Sequence, residues 1–303
     1  MFFKRMQKVF VPGLVVMALA GSAHADLKVV SKMTMDGPSM AGLAGGIGGG
    51  AGVAVPKPGE ASKTTTYYKG SKVRVEDAAG MVTITDNEAG TMTQIDPKKK
   101  TYSTVKLAEM TKQLADGMGP ASQFLEMMEM KVKSNVKPGG HEREIAGKKA
   151  TDYLWTATMS MGMKGGDDSA GELANITMEG EQWTTEEIKL PATSTPAGAP
   201  QIPGIGGGMM GGMMKMMNNM PGMKSMMETM AKIKGFSLLT NMKITIKSPF
   251  AEAQGQDLSK PISNKTEVVE LSEAELPASL FVAPEGFKKV LYKAPQMPAG
   301  FGG

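Results

Sequence analysis

Regularly spaced turn signals in residues 64–105 constrain the fold more than any other feature of the chain. Short runs in which apolar and polar residues alternate are separated by Lys69-Gly70, Ala79-Gly80, Glu88-Ala89-Gly90 and Asp96-Pro97. The runs themselves are residues 64–69, 72–76, 81–85, 92–95 and 101–105. A two-residue period is typical of a half-buried strand, and glycine and Asp-Pro pairs favour turns. The spacing therefore predicts an antiparallel meander.

The rest of the chain adds further strands and two helical pieces to this meander. Leu107, Met110, Leu114 and Met118 recur at helical spacing, which predicts an amphipathic helix up to residues 117–120 and a second piece over 121–129. Further strands are predicted at residues 27–35, 131–137, 151–161, 176–185, 235–247, 264–271 and 286–292. The pattern indicates a mainly β (α+β) fold, with one curved antiparallel sheet and covering helices.

The first 25 residues have the order of a secretory signal peptide. Three basic residues (Lys4, Arg5 and Lys8) precede an apolar stretch over 9–20, and the segment ends in an Ala-His-Ala site. We therefore predict cleavage between Ala25 and Asp26 and a periplasmic or secreted bacterial protein. No later stretch has the roughly 18 uninterrupted apolar residues of a membrane helix, so we expect no transmembrane span in the mature protein.

Cysteine is absent, so an exported form of this chain has no disulfides and no lipid-modified cysteine. The mature chain would hold 31 basic residues (34 minus 3) and 30 acidic residues, a net charge of +1. This balance gives no support for nucleic-acid binding. We predict one soluble domain over residues 26–292, with a glycine-rich loop at 37–59, a methionine-rich insertion at 205–234 and a flexible tail at 293–303.

Residues typical of catalysis are scarce. After signal removal His141 is the only histidine, in a Gly-Gly-His-Glu stretch that predicts a solvated turn. One histidine does not supply a multi-histidine zinc site, and a cysteine nucleophile is excluded. The prediction is therefore a protein that is not an enzyme and has no cofactor.

Methionine is concentrated in residues 209–230, where it fills 11 of 22 positions. Seven methionines follow a 4, 3, 4, 3, 4, 3 spacing that places them along one stripe of a helix, interrupted at Pro221: Met209, Met213, Met216, Met220, Met223, Met227 and Met230. The stripe is open to three interpretations. It can be a plug packed on the sheet, a mobile apolar surface for lipid or a hydrophobic protein segment, or a thioether site for Cu(I).

The copper interpretation would use Met213, Met216, Met220 and Met223 as ligands. It is favoured by additional methionines elsewhere in the chain, at Met127, Met128, Met130, Met159, Met161 and Met163. The helical spacing favours the apolar interpretations, because a packed stripe needs that regularity and a metal cluster does not.

Several stretches resemble an uncharacterised family of exported bacterial proteins. The landmarks are YYKGSKVRVED at 67–77, MTQIDPKKKTYSTV at 92–105, IAGKK at 145–149, GEQW at 180–183 and SLFVAPEGFKKV at 279–290. That family looks related to the periplasmic lipoprotein-carrier superfamily. The resemblance implies a half-open antiparallel β-barrel around a helical plug, with a concave apolar surface for an acyl chain.

The preferred prediction is thus an exported binding protein for a hydrophobic, lipid-like ligand or an envelope protein. The alternative is a periplasmic Cu(I)-binding protein.

Overall fold

A computed structural model of the chain describes residues 26–37, 58–117, 128–163, 172–190, 222–248 and 260–292. The strands are β1 (Leu27–Asp36), β2 (Ala61–Lys69), β3 (Lys72–Glu76), β4 (Val82–Asp86), β5 (Thr91–Asp96), β6 (Thr101–Lys106), β7 (Met128–Ile145), β8 (Lys148–Met163), β9 (Glu172–Thr185), β10 (Phe236–Lys247), β11 (Ile262–Glu273) and β12 (Lys288–Lys289). The helices are α1 (Leu107–Gly117) and α2 (Met223–Met230), with a 3₁₀ turn at Ala278–Phe281.

All the described strands belong to one sheet of 12 strands in the order β12-β6-β5-β4-β3-β2-β1-β11-β10-β9-β8-β7. Neighbouring strands run antiparallel, except that the short β12 runs parallel to β6. Within the described residues β12 and β7 are the two ends of the sheet and do not pair with each other, so the sheet is not closed into a barrel. The prediction of a mainly β fold built on one large antiparallel sheet is confirmed.

The meander predicted over residues 64–105 is confirmed as β2 to β6. The Asp96-Pro97 signal forms the β5–β6 turn, in which the backbone N–H of Lys99 donates to Asp96 Oδ1 at 3.0 Å and Lys100 adopts a φ of 52°. A local hydrogen bond to an aspartate is the ordinary reason why such a sequence turns.

The predicted helix after β6 is confirmed as α1, in which Met110 is buried against Met92 and Val105. Two other predictions differ from the structure. Met128 and Glu129 belong to β7 and not to a second helical piece. The strand predicted at 286–292 shrinks to Lys288–Lys289, because it pairs with only two residues of β6.

The main core lies where the meander meets the longer strands. Leu27 and Val29 of β1 pack with Phe236 and Leu238 of β10, and all four side chains are almost fully buried. Bulges between Val30 and Ser31 and between Ser237 and Leu239 interrupt the register here, which increases the local twist. The predicted signal peptide at 1–25, nearly all of the glycine-rich loop, residues 205–221 of the insertion and the tail at 293–303 lie outside the described residues.

Candidate functional site

One face of the sheet, from β1 through β11, β10, β9 and β8 to β7, is rich in methionine and isoleucine. Register pairs its residues in rows that run across the strands. We call this surface the methionine–isoleucine face. Its members include Met33, Met35, Ile262, Met242, Ile244, Ile246, Ile176, Met178, Trp155, Met159, Met161, Met163, Met130 and Val132.

Packing on this face is incomplete. Met35, Ile176, Ile246 and Ile262 are buried and form a cluster. The surrounding side chains Met159, Met161, Met178 and Ile244 pack against that cluster and are only half-buried. Burying a methionine fully is worth roughly 1.5–3 kcal/mol, so these half-covered thioether chains retain apolar surface that a ligand would remove from water.

Trp155 lies in the middle row of the methionine–isoleucine face. That row runs from Met35 through Asn264, Met242 and Gly180 to Trp155 and then to Val136 on β7. The indole covers Gly180 so closely that a Cβ on that glycine would overlap the ring. Only glycine therefore fits at this strand position, although a glycine in the interior of a strand ordinarily weakens the sheet.

Two of the unsatisfied buried hydrogen-bond donors on the methionine–isoleucine face lie close together on β7 and β8. Neither Trp155 Nε1 nor Ser134 Oγ has a hydrogen-bond partner among the described residues. Trp155 is only 6% exposed. Ser134 stands opposite Ala157, so it is a diagonal neighbour of Trp155 across the β7–β8 pair. A buried donor without an acceptor costs about 1–3 kcal/mol, and an oxygen of a bound molecule would remove that cost.

Helix α2 carries the end of the predicted methionine stripe. It begins at Met223, directly after Pro221-Gly222, and contains Met227 and Met230 with half-buried side chains, while Lys224, Ser225 and Glu228 are exposed. The helical spacing is thus confirmed for residues 223–230. Met209, Met213, Met216 and Met220 lie outside the described residues.

The N-terminal end of α2 lies against β7 on the methionine–isoleucine face. A Cβ at Gly222 would come within 3.0 Å of the Val132 side chain, and Val132 stands opposite Met159 in the register. Gly222 adopts a φ of 86°, so glycine suits both its conformation and its close approach. Helix α1 packs on Met92, and a row of directly paired residues connects Met92 across the strands with Leu27. Side chains alternate along β1, so Leu27 and Met35 lie on the same face. Helix α1 therefore lies on the methionine–isoleucine face as well.

The opposite face of the same strands carries an open groove of about 820 Å³. Its lining includes Leu154, which is 36% exposed, and a balanced set of three basic and three acidic residues: Lys137, Lys243, Lys265, Asp36, Glu179 and Glu181. Asn241 Nδ2 donates to Glu181 Oε2 at 2.9 Å across the groove floor. Charged side chains at an open surface are ordinarily hydrated, which favours a solvated outer surface over an apolar ligand site.

His141 lies in strand β7 and not in a turn, while its exposed side chain agrees with the prediction of a solvated residue and also contacts a buried carboxylate. Its Nδ1 lies 2.9 Å from Asp152 Oδ2, and its backbone N–H donates to Asp152 Oδ1 at 2.8 Å. Asp152 is 3% exposed, whereas most of the His141 side chain is in solvent. The register shift between Pro138 and Glu142 inserts residues that wrap this carboxylate, and a side chain on Gly139 would overlap it.

The ionisation of this pair depends on both partners. The hydrogen bond to Asp152 and then its negative charge raise the pKa of His141 above 6.5. Burial raises the pKa of Asp152, but hydrogen bonds from the His141 ring and backbone outweigh burial and lower the pKa below 3.8. The described contacts are those of an ion pair that holds the bulge in place.

The stabilisation by His141 is therefore expected to depend on pH. A raised folded-state pKa contributes stability that is complete below the unfolded-state pKa of histidine and disappears as pH rises through the folded-state value. In urea unfolding, the stability lost in His141→Gln should be larger at pH 5.5 than at pH 8.5. Glu142→Gln is the matched neighbouring control. Equal losses at the two pH values for His141→Gln would show that the ion pair contributes nothing.

Asp26, the residue after the predicted cleavage site, is anchored to the sheet. Its Oδ2 lies 2.6 Å from Lys69 Nζ and accepts a hydrogen bond from the Leu276 backbone N–H at 2.9 Å. The predicted cleavage after Ala25 concerns residues that the structure does not describe and stays a prediction.

A period-two signal would have identified the methionine–isoleucine face from sequence. Met33 and Met35, and Met159, Met161 and Met163, alternate along strands.

Within the described helices none is long and apolar enough to cross a membrane. The described part of the chain also has no group of three or more His, Asp or Glu side chains able to hold a metal ion. No protein-family model matches the chain, and no curated protein shows detectable similarity to it.

Proposed function

We propose that this chain is an exported binding protein, not an enzyme, which holds the apolar chain of a lipid-like molecule on the methionine–isoleucine face. The observation that carries the proposal is the row of half-buried methionines around a small buried isoleucine cluster. Methionine is unbranched and polarisable, so such a surface adapts to chains of different shape. A core that served stability alone would gain by covering the same side chains fully.

The proposal includes the finer architecture that the resemblance implies. In it the open sheet curves as a half-barrel, and helices on its inner face form the plug. Two contacts support this arrangement: α1 packs on Met92 and Val105, and Gly222 at the start of α2 approaches Val132. Both contacts lie on the face that carries Met35.

The unsatisfied donors indicate the chemistry of the ligand's polar end. Trp155 Nε1 and Ser134 Oγ are both donors buried beside apolar side chains. A fatty acid or an acyl ester supplies an acceptor oxygen joined to a long apolar chain. Its oxygen would accept hydrogen bonds from the buried donors, and its chain would lie on the apolar side chains beside them. A pure hydrocarbon would leave the donors unpaired, at a cost in affinity. We therefore assign the ligand class as acyl amphiphiles, either free or as the lipid part of an envelope component.

The two tryptophans of the chain offer a direct test. Trp155 lies on the methionine–isoleucine face, whereas Trp183 belongs to the main core cluster with Arg143 stacked on its ring at 4.0 Å. We expect a long-chain fatty acid brominated along its chain to quench the fluorescence of Trp155 saturably, because bromine quenches only at short range. The measurement uses Trp183→Phe, in which Trp155 is the only reporter.

The matched control is Trp155→Phe, which keeps Trp183 as the reporter. Its fluorescence should change little with the same fatty acid. Equal quenching in the two variants would indicate non-specific association, and an absence of quenching in both would contradict the proposal.

The alternative function, Cu(I) binding through Met213, Met216, Met220 and Met223, stays a prediction. Replacing these four by leucine keeps apolar bulk and removes their thioether donors, so it should preserve binding of the brominated fatty acid. Loss of fatty-acid binding in this variant would place the ligand on the methionine-rich segment instead.

A further inference from the structure

Methionines from two adjacent strands meet at one end of the methionine–isoleucine face. Met130 of β7 is directly opposite Met161 of β8, and Met163 is two residues further along β8. Since alternate residues of a strand share a face, the three side chains project to the same side of the sheet. Met161 is half-buried and Met163 is 36% exposed, so an ion from solvent has access to them.

The spacing suits convergence of the three sulfurs. Directly opposed residues have Cβ atoms about 4.5–5.5 Å apart, and diagonal neighbours such as Met130 and Met163 are about 7–8 Å apart. A methionine side chain is unbranched and flexible, so its sulfur can reach a common point over such distances. On the β9 side Met161 stands opposite Ala174, whose small side chain leaves space beside the thioethers.

Packing on the buried cluster does not explain methionine at positions 130 and 163. The buried cluster further along the face consists of Met35 and three residues of the β-branched type that suits strands: Ile176, Ile246 and Ile262. Met130 and Met163 do not belong to that cluster among the described residues. A strand end that needed only apolar bulk would be served by the same β-branched residues.

Thioether sulfur is a soft, neutral ligand that selects Cu(I) over divalent ions that prefer nitrogen or oxygen. We propose that Met130, Met161 and Met163 form a three-sulfur site for Cu(I). This site is separate from the methionine-rich segment at 209–230. It shares Met161 with the surface proposed for the acyl chain, but copper binding does not require that an acyl chain binds.

The test is competition for Cu(I) against a chromophoric Cu(I) chelator under reducing conditions. Three variants with methionine changed to leucine are compared with wild type. The hairpin variant changes Met130, Met161 and Met163, the segment variant changes Met213, Met216, Met220 and Met223, and the face control changes Met33, Met35 and Met242. All three keep apolar side chains of similar volume, a change that cores usually tolerate.

We expect wild type, the segment variant and the face control each to take one Cu(I) from the chelator with equal affinity. The hairpin variant should bind at least 100-fold more weakly. Cu(II) and Zn(II) should not occupy this site, since it offers only thioether donors. X-ray absorption of the copper-loaded segment variant should show sulfur as the sole ligand type.

Three results would overturn the proposal: wild type that does not compete for Cu(I), a hairpin variant that binds as wild type does, or loss of copper in the segment variant alone. A nitrogen or oxygen shell in the absorption spectrum would count equally against it. Unfolding in urea checks the fold of each variant. If the hairpin variant does not fold, Met163→Leu at the exposed position is used instead, with an expected weakening of about 10-fold.

Discussion

Replacing Gly180 by alanine is expected to destabilise the protein by about 3 kcal/mol, at the upper end of the usual cost of overpacking a core. The added methyl group would occupy space that the Trp155 indole fills, and the ring is rigid and almost fully buried. The ring must therefore move away from the methionine–isoleucine face or the strands must separate. Urea unfolding followed by far-UV circular dichroism measures the loss.

A double-mutant cycle separates this clash from any general effect of the substitution. Trp155→Ala alone should cost about 3–5 kcal/mol, as expected for a large buried aromatic side chain. In that background Gly180→Ala should become neutral or stabilising by about 0.5–1 kcal/mol, because glycine is a poor strand residue. A cost that is unchanged in the Trp155→Ala background would show that the indole is not what requires the glycine.

The sequence predicted the strands well because their physical signals are local. Each turn of the meander contains glycine or Asp-Pro, and each run alternates, so β2 to β6 were predicted close to their observed bounds. Helix α1 was equally predictable from the sequence, since Leu107, Met110 and Leu114 repeat at helical spacing. The difference at β12 has another cause: its two residues are extended only because they meet β6, a contact between distant parts of the chain.

The candidate site was harder to predict from the sequence, because it too depends on contacts between distant parts of the chain. The methionine–isoleucine face arises only when β1 pairs with β11 and when β11 then joins β10, and these pairings join distant segments. The methionines of residues 209–230 stand out in the sequence by their helical period, whereas those of the described face follow the strand period. The contact between His141 and Asp152 was missed because the bulge that brings them together is a feature of the β7–β8 register and not of the local sequence.

Introducing a carboxylate in the centre of the methionine–isoleucine face should abolish ligand binding while the fold survives. Met178 is half-buried between Ala157 and Ile244 in its row, so Met178→Glu can keep its charge in water as long as the face is empty. A bound acyl chain would cover that charge without supplying a partner. Burying an unpaired ion costs several kcal/mol, and each 1.4 kcal/mol is a factor of ten in affinity.

We therefore expect Met178→Glu to weaken binding of the brominated fatty acid by at least ~100-fold in the Trp183→Phe background. Thr177→Glu is the matched control, because Thr177 is the adjacent residue of β9 and its side chain projects to the opposite face. Near pH 4, where an exposed glutamate is about half protonated, part of the affinity should return to Met178→Glu. Equal weakening by the two substitutions would mean that charge alone, and not its position on the methionine–isoleucine face, governs binding. Undiminished binding by Met178→Glu would place the acyl chain elsewhere on the molecule.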